Sequence, residues 1–419
     1  MNFPLTPFKR VLTRNDGGVW GDDPAGEGDT VVLRSTDIAL DGSWAIDDPA
    51  RRRLSASETL GARLEVGDLV VVKSSGSATH LGKSALVNRV VAEMRPCFAN
   101  FVQRLRVAPD VDRRFAWYFM NSRFAAQQLD RFGTTTTGLR NLNGETLGAL
   151  EFPLPPRSVQ SAVADYLDRE TTRLDALIAA KGRMVALLEE KRTVILLDAV
   201  APHLAAGLPD GWAKTRLKYL FDSPAAGAWG EEADGRPHDI LCVRVADFDR
   251  SRFRVDARAA TLRSVDETVK RKCLLKQGDV LIEKSGGGDA QPVGFAVVFD
   301  LGTEAICSNF IARLRPVATV DPTYAGRVLA AAYRAECNVP FVKQTTGIQN
   351  LDMQAYLSLD WCVPPPAAQR AICERLASEF AALDEFKQTL ATQLTLLQER
   401  RRVLITAAVT GELDIAEAA

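Results

Sequence analysis

The sequence predicts an α+β chain built from one plan used twice: a mixed α/β globular domain followed by a long helix. The two helices pair antiparallel as a coiled coil, with pseudo-two-fold symmetry. Three observations carry the prediction. Leu376, Leu383, Leu390, Leu397 and Leu404 recur every seven residues. The same helix occurs 209 residues earlier without a gap. Upstream of each helix, short β-branched runs bounded by glycine or charge alternate with amphipathic stretches.

A seven-residue apolar repeat keeps one seam of a helix turned toward a partner helix. Leu394 and Phe380 sit on neighbouring turns and widen that seam. Pro364-Pro365-Pro366 marks the start and Gly411 the stop. From Pro366 to Val409 the helix would run about 65 Å at ~1.5 Å per residue. The earlier copy places Leu167, Leu174, Leu188 and Ile195 opposite Leu376, Leu383, Leu397 and Leu404, and Lys181 opposite Leu390 is the single break. Gln160 matches Gln369, Asp175 matches Asp384, and Glu190-Lys191-Arg192 matches Glu399-Arg400-Arg401. Such density means internal duplication. Two long helices joined through a globular domain can lie antiparallel and bury each other's seams. The alternative is that each helix packs on its own domain.

The duplication continues upstream. Trp20-Gly21-Asp22-Asp23 matches Trp229-Gly230-Glu231-Glu232, and Arg34 with Asp37 matches Arg244 with Asp247. Gly67-Asp68 with Lys73-Ser74-Ser75-Gly76 matches Gly278-Asp279 with Lys284-Ser285-Gly286-Gly287. Asn100-Phe101 with Arg104-Leu105-Arg106 matches Asn309-Phe310 with Arg313-Leu314-Arg315. Thr136-Thr137-Gly138 and Asn141-Leu142 match Thr345-Thr346-Gly347 and Asn350-Leu351. Strands are expected at 31–33, 69–72, 280–282 and 295–298. Single amphipathic helices are expected at 115–129 and 324–337. The expected division is 1–154, a first globular domain; 155–204, the first long helix; 205–363, a second globular domain; and 364–419, the second long helix.

At 419 residues the chain has room for two or more cores. With 46% hydrophobic and 25% charged residues it reads as an ordinary globular protein. No apolar run reaches the length of a membrane span, and the N-terminus lacks a signal-peptide core. The seven cysteines are scattered and form no CxxC pair, which suits reduced thiols in a cytoplasm. A net charge of −1 argues against a protein that coats nucleic acid unaided, but leaves room for local basic faces.

Two diverged copies of a globular domain, each followed by a similar long helix, resemble the specificity subunit of type I restriction–modification enzymes. The motifs that carry the resemblance are Leu208-Pro209-Asp210-Gly211-Trp212 opening the second domain and the Gly-Asp-apolar-Lys-Ser element at Gly67 and Gly278. The Thr-Thr-Gly…Asn-Leu turns, the Pro-Pro…Gln leading into each helix, and the closing Thr410-Gly411-Glu412-Leu413-Asp414-Ile415 add to it. The resemblance implies two target-recognition domains, each reading one half of a split, asymmetric site in double-stranded DNA. It implies paired helices that act as a ruler for the gap and dock two adenine methyltransferase subunits, joined by motor-nuclease subunits. S-adenosylmethionine, ATP and Mg²⁺ would then belong to the partner subunits, with no cofactor in this chain and no membrane partner. Two readers on a stiff spacer demand half-sites on a fixed helical phase, roughly one turn of DNA apart.

Candidate DNA contacts follow from residue chemistry. Lys73-Ser74 and Lys284-Ser285 leave an apolar strand and enter a small, glycine-rich loop. Backbone N–H groups and hydroxyls there could approach phosphates, with lysine as a point charge; a plain strand-ending turn is the alternative. Arg104 with Arg106, and Arg313 with Arg315, alternate along a strand and share a face. Arginine forks suit guanine edges or phosphates, while a solvated strand face is equally consistent. Arg140, Gln344 and Gln349 lie in the Thr-Thr-Gly turns and could reach base edges; the alternative is a turn that locks domain to helix. Readers should differ between copies, which singles out Arg140 against Gln349. Lys191, Arg192, Arg401 and Arg402 read as a solvated helix face.

Other chemistries fit poorly. Gly76 to Ser84 mimics a P-loop, but its spacing is one residue too long and the second copy lacks it. Asp279, Glu283 and Lys284 suggest a metal nuclease, yet the first copy has Val72 at the position of Glu283. His80, His203 and His238 stand apart from one another and from the cysteines, so no metal site is implied. The methylase Asn-Pro-Pro-aromatic motif is absent. The remaining rivals are a self-contained methyltransferase or nuclease, and a coiled-coil interaction scaffold without DNA specificity.

Overall fold

The protein is described from a computed structural model, which covers residues 3–75, 80–132, 134–136, 139–205, 207, 210–235, 238–256, 258, 261–345 and 347–415. Side chains of residues 132, 134–136, 139, 140 and 345 are outside this description. Of the residues singled out above, Gly76, Thr137, Gly138, Leu208, Pro209 and Thr346 lie outside the described residues, as does the side chain of Arg140.

The chain divides into two compact units: Met1–Gly182 with Ala391–Ala419, and Arg183–Leu390. Each unit therefore holds one globular part and half of each long helix. That differs from a division into domain, helix, domain, helix.

In the first unit a four-stranded antiparallel sheet runs in the order Leu12–Gly17, Val102–Val107, Leu69–Val72, Ser84–Leu86. Leu69–Val72 is wholly buried and apolar because it is covered on both faces. Leu69 and Val71 join Phe115, Phe119 and Phe152 in one core, while Val70 and Val72 join Val32, Leu33 and Phe98 in another. The strand's period of two explains the split. In the second unit Val280–Glu283 lies between Ile311–Leu314 and Ala296–Val298 in a six-stranded sheet. The register repeats: Val70 faces Arg104, and Leu281 faces Arg313.

The helix expected at 115–129 is two helices, Arg113–Met120 and Arg123–Phe132. Ser122 makes the break. Its hydroxyl donates to the Phe119 carbonyl at 2.6 Å and accepts from the Ala125 N–H at 3.2 Å, capping the second helix. Its counterpart in the second unit is one helix, Pro322–Arg334.

The long helices span Arg157–Val200 and Pro366–Thr410. Each is pinned at its start by a buried glutamine. Gln160 donates to the Pro155 carbonyl at 2.8 Å and accepts from the Asp112 N–H at 2.9 Å. Gln369 makes the equivalent bonds to Pro364 and from Asp321, at 3.0 and 2.9 Å. Gly411 follows the second helix at φ +73°, the left-handed stop that glycine tolerates.

Within each unit the two helix halves run antiparallel. In the first, Arg401 reaches Asp175 at 2.9 Å and 3.2 Å, and Lys181 donates to the Gln393 side-chain amide oxygen at 2.6 Å. In the second, Arg192 reaches Asp384 at 2.6 Å and Lys387 pairs with Glu189. Arg401–Asp175 and Arg192–Asp384 are one ion pair made twice by equivalent residues. The expected solvated face at Arg192 and Arg401 is thus a helix–helix lock; Arg192 is buried.

Seam burial is uneven. Leu167, Leu174, Leu376 and Leu390 are buried, while Leu188, Ile195, Leu383, Leu397 and Leu404 are half-buried. The seam also enters the globular cores. Leu167 clusters with Ile405 and Val409 of the second helix, and Leu376 with Leu196 of the first. The seams meet each other and their own domains together. Lys181, the break in the repeat, supplies a polar bridge where a leucine would have packed. Among the described residues no helix is long and apolar enough to cross a membrane.

Candidate nucleic-acid interface

Two motifs read separately in the sequence form one small sheet. In the first unit Ser74–Ser75 pairs with Leu139–Asn141, which pairs with Thr134–Thr136. In the second, Ser285–Gly286 pairs with Ile348–Leu351, which pairs with Val342–Thr345. The Lys-Ser segment and the Thr-Thr-Gly hairpin therefore share an edge. Asn141 faces Ser74, Arg140 faces Ser75, and Gln349 faces Gly286.

The backbone donors of this element are already committed. The N–H groups of Lys73 and Ser74 both donate to the Phe101 carbonyl, at 3.1 and 3.3 Å. Those of Lys284 and Ser285 donate to the Phe310 carbonyl, at 2.9 and 3.2 Å. The Gly288 N–H closes a turn onto Gln291 at 3.0 Å. A phosphate cradle of free N–H groups is absent at these positions, and the turn reading describes the backbone. What remains available is side-chain chemistry. Lys73 is half-buried, with its ammonium 3.3 Å from the Gln103 amide oxygen, and burial lowers its pKa. Lys284 is half-buried too. The Ser285 hydroxyl donates to Asn350 at 2.7 Å.

The four arginines are structural. Arg104 is 1% exposed and donates to Asp16 at 2.9 Å, to the Arg63 carbonyl at 2.7 Å and to the Gly61 carbonyl at 2.8 Å. Arg106 grips the buried Asp68 at 2.5 and 2.8 Å, and Arg315 grips the buried Asp279 at 2.7 Å twice. Arg313 donates to the Leu274 carbonyl at 3.1 Å. The duplicated Gly-Asp and Arg-Leu-Arg motifs are thus two halves of one bidentate ion pair, and neither a solvated face nor a base-reading face describes them. The paired carboxylates raise the pKa of Arg106 and Arg315. Gln349 is 5% exposed and accepts from the Val293 N–H at 3.3 Å, so it holds a loop in place. Gln344 is exposed.

Sequence reasoning missed the aromatic residues. Trp20 and Phe101 in the first unit, and Trp229 and Phe310 in the second, are exposed large side chains. Each tryptophan is held by an arginine. Arg52 lies 4.7 Å from the Trp20 ring and donates to the Trp20 and Gly21 carbonyls at 3.2 Å. Arg263 lies 4.5 Å from the Trp229 ring and donates to the Trp229 and Gly230 carbonyls at 3.1 and 3.0 Å. In the second unit Trp229, Phe310, Ser285, Gly286 and Asn309 line a recess of about 500 Å³ whose floor includes Glu283. Glu283 is buried and paired with Arg250 at 2.8 Å, and burial raises its pKa. Exposed aromatics, the tryptophans each held by an arginine, near a Lys-Ser segment can stack on bases and meet phosphates. The signal was present: both Trp-Gly and Asn-Phe recur in the two copies.

A second duplicated surface lies on the long helices. Leu177, Leu396 and Val403 of the first unit, and their equivalents Phe386, Leu187 and Val194 of the second, are all exposed. Six apolar side chains at equivalent positions, three in each unit, are more than the scatter of single exposed apolar residues usual on a surface. Among the described residues, no three His, Cys, Asp or Glu side chains are placed to hold a metal ion.

No family model matches the chain. The type I restriction enzyme StySPI specificity subunit of Salmonella potsdam is 24% identical over 358 residues, which is 83% of this chain and 74% of that protein. A chain from a study of complex assembly and conformational transition in a type I R-M system superimposes with a TM-score of 0.75 at 18% identity, covering 99% of this chain and 100% of that one. The HsdS subunit from Thermoanaerobacter tengcongensis gives a TM-score of 0.53 at 17% identity, covering 98% of this chain and 97% of its own. In sequence along most of its length, and in fold along nearly all of it, the chain is similar to the specificity subunits of type I restriction–modification systems.

Proposed function

We propose that the chain is the non-catalytic specificity subunit of a type I restriction–modification complex. Each globular part reads one half of a bipartite, asymmetric site in double-stranded DNA. The paired helices set the gap and dock two adenine methyltransferase subunits, and motor-nuclease subunits join that core. S-adenosylmethionine, ATP and Mg²⁺ act on those partners. The observation that carries the reading is that four structural devices of one unit recur at the equivalent place in the other. The Asp–Arg clamp, the glutamine helix pin, the helix–helix ion pair and the exposed Trp and Phe beside Lys-Ser are all made twice. A duplicated probe with duplicated docking surfaces suits two half-sites and two copies of a partner. A scaffold without DNA specificity has no use for paired exposed aromatics beside a lysine in each unit.

Methylome sequencing of a host with and without the chain tests this directly. A split motif should be modified only when the chain is present, and an unchanged methylome rejects the reading. Inserting about two helical turns at matched places in both long helices should lengthen the gap and leave both half-sites unchanged. Replacing residues 1–150 with the first domain of another such subunit should change one half-site; altered readout of both would count against modular recognition.

A further inference from the structure

The second unit carries a cationic cleft that its counterpart lacks. In the first unit the helix Arg113–Met120 meets the first long helix through a polar network. The Tyr118 hydroxyl donates to Asp168 at 2.7 Å, and Arg114 reaches Asp168 at 2.6 Å and Asp165 at 2.8 Å. The 209-residue offset places Arg327 where Tyr118 stands, Thr323 for Arg114, and Ala377 for Asp168. The carboxylate is gone and a guanidinium has come in.

Among the described residues, Arg327 pairs with no carboxylate. It stacks on Phe253 and Phe380, with its central carbon 4.6 and 5.3 Å from the ring centres. One of its terminal nitrogens is buried without a hydrogen-bond partner. Burial, with some repulsion from Arg192, pulls its pKa down to about 10, so it stays charged at neutral pH. Arg327 as a whole is half-buried, and the buried Arg192 keeps its Nε unpartnered beside it. A buried cation without a counter-charge is destabilising unless something supplies one. Arg192, Arg252, Arg254 and Arg327 line a cleft of about 310 Å³ together with Asp300 and Asp384; Arg192 pairs with Asp384, Arg254 with Asp300 and Arg252 with Asp249 just outside, which leaves the charge of Arg327 uncompensated.

We propose that this cleft in the second unit binds a phosphoryl dianion, inorganic phosphate or the phosphate of a small ester, with Arg327 as its principal ligand. Guanidinium forks match tetrahedral oxyanions, and four arginines around one cleft offer a phosphoryl group more than one fork. The cleft's residues are not among those of the candidate DNA face, so the inference stands apart from the proposed DNA reading.

The test uses the full chain and inorganic phosphate. Titration calorimetry should show saturable binding, and millimolar phosphate should raise Tm by several degrees over chloride at equal ionic strength. Arg327→Met should abolish the phosphate response without lowering Tm in chloride, because it removes an unpaired, half-buried charge. Ala377→Asp restores the acid of the first unit; it should raise Tm in chloride and abolish the response. Tyr118→Phe, at the equivalent place, should leave the response intact. The proposal is overturned by no phosphate binding by the wild-type chain, by a wild-type phosphate response in Arg327→Met or Ala377→Asp, or by a drop in Tm in chloride for Arg327→Met. A nucleotide or a DNA duplex in place of phosphate separates the sources. A response to duplex alone would reject the free-phosphate assignment.

Discussion

Removing Arg106 is expected to unfold the first unit more readily and to leave DNA affinity per folded molecule unchanged. Arg106 gives Asp68 two charge-assisted hydrogen bonds, at 2.5 and 2.8 Å, and a third interaction to Glu65 at 2.9 Å. Asp68 is 1% exposed and Arg106 is 23% exposed. Each charge-assisted bond contributes about 1.5–3 kcal/mol, and breaking a fully buried pair costs roughly 3–5 kcal/mol. Water reaches the arginine side, which moves the expectation for Arg106→Ala to about 2–3 kcal/mol. Asp68→Ala also removes the acceptor of the Glu65 N–H at 2.8 Å, so it should cost about 1 kcal/mol more. The double variant should cost less than the sum of the singles by about 2 kcal/mol, since both remove one interaction. Urea unfolding followed by circular dichroism reads these values, with hydrogen exchange at Leu69–Val72 to localise the loss. Asp279→Ala and Arg315→Ala should behave alike in the second unit. The reasoning fails if Arg106→Ala keeps wild-type stability while DNA affinity falls and its salt dependence flattens, the signature of a lost phosphate contact.

Other consequences are as concrete. Leu174→Ala should cost about 2–4 kcal/mol, because the side chain is buried in the helix seam. Lys181→Leu should raise stability by about 1 kcal/mol by completing the repeat; a lower Tm would mean the Gln393 bridge matters more than the seam. Leu396→Asp with Val403→Asp, or Leu187→Asp with Val194→Asp, should leave Tm nearly unchanged since all four are exposed. Each pair should reduce the number of bound methyltransferase copies from two to one in native mass spectrometry; retention of both would place docking elsewhere. Lys387 holds the Glu189 carboxyl below its ordinary pKa. That contribution is present above the unfolded glutamate pKa and is lost as pH falls through the depressed folded value. The Tm gap between wild type and Lys387→Met should therefore shrink on acidification from pH 6 toward pH 3, and a gap that stays constant would contradict the pairing.

What could be read in the sequence depended on whether its cause was local. The long helices were legible because a heptad repeat is written every seven residues, and the helix starts because Pro-Pro precedes a glutamine in both copies. Leu69–Val72 declared itself by a run of β-branched residues. The Asp68–Arg106 clamp was not legible: the partners are 38 residues apart and meet only through strand pairing. Taken alone, the arginines suited DNA or solvent and Asp68 was only part of a repeated Gly-Asp motif. Gln349 looked like a reader because nothing local marks a turn residue that tucks inward under Val293. The split of the helix at Ser122 turned on one hydroxyl that caps in both directions. The aromatic pair was visible as a repeated motif, and its exposure could be seen only in three dimensions.

Duplication also constrains where sequence discrimination can reside. If the two half-sites differ, a residue kept in both units cannot be what distinguishes them. Trp20 and Trp229, Phe101 and Phe310, Lys73 and Lys284 are kept, so under the proposed function they would hold DNA through stacking and charge available to any sequence. Discrimination must come from neighbours that diverged. The recess of the second unit is floored by Glu283, held by Arg250, where the first unit has the apolar Val72. Ser75 is replaced by Gly286 on the strand that pairs with the hairpin. Exchanging Glu283 for valine together with Arg250 for methionine removes both charges of the pair at once, so no unpaired charge is left behind. Methylome sequencing of that double variant should show the second half-site relaxed or changed and the first intact. A wild-type motif at wild-type efficiency would mean that the floor of this recess is only packing, and that reading falls to the hairpin around Gln344.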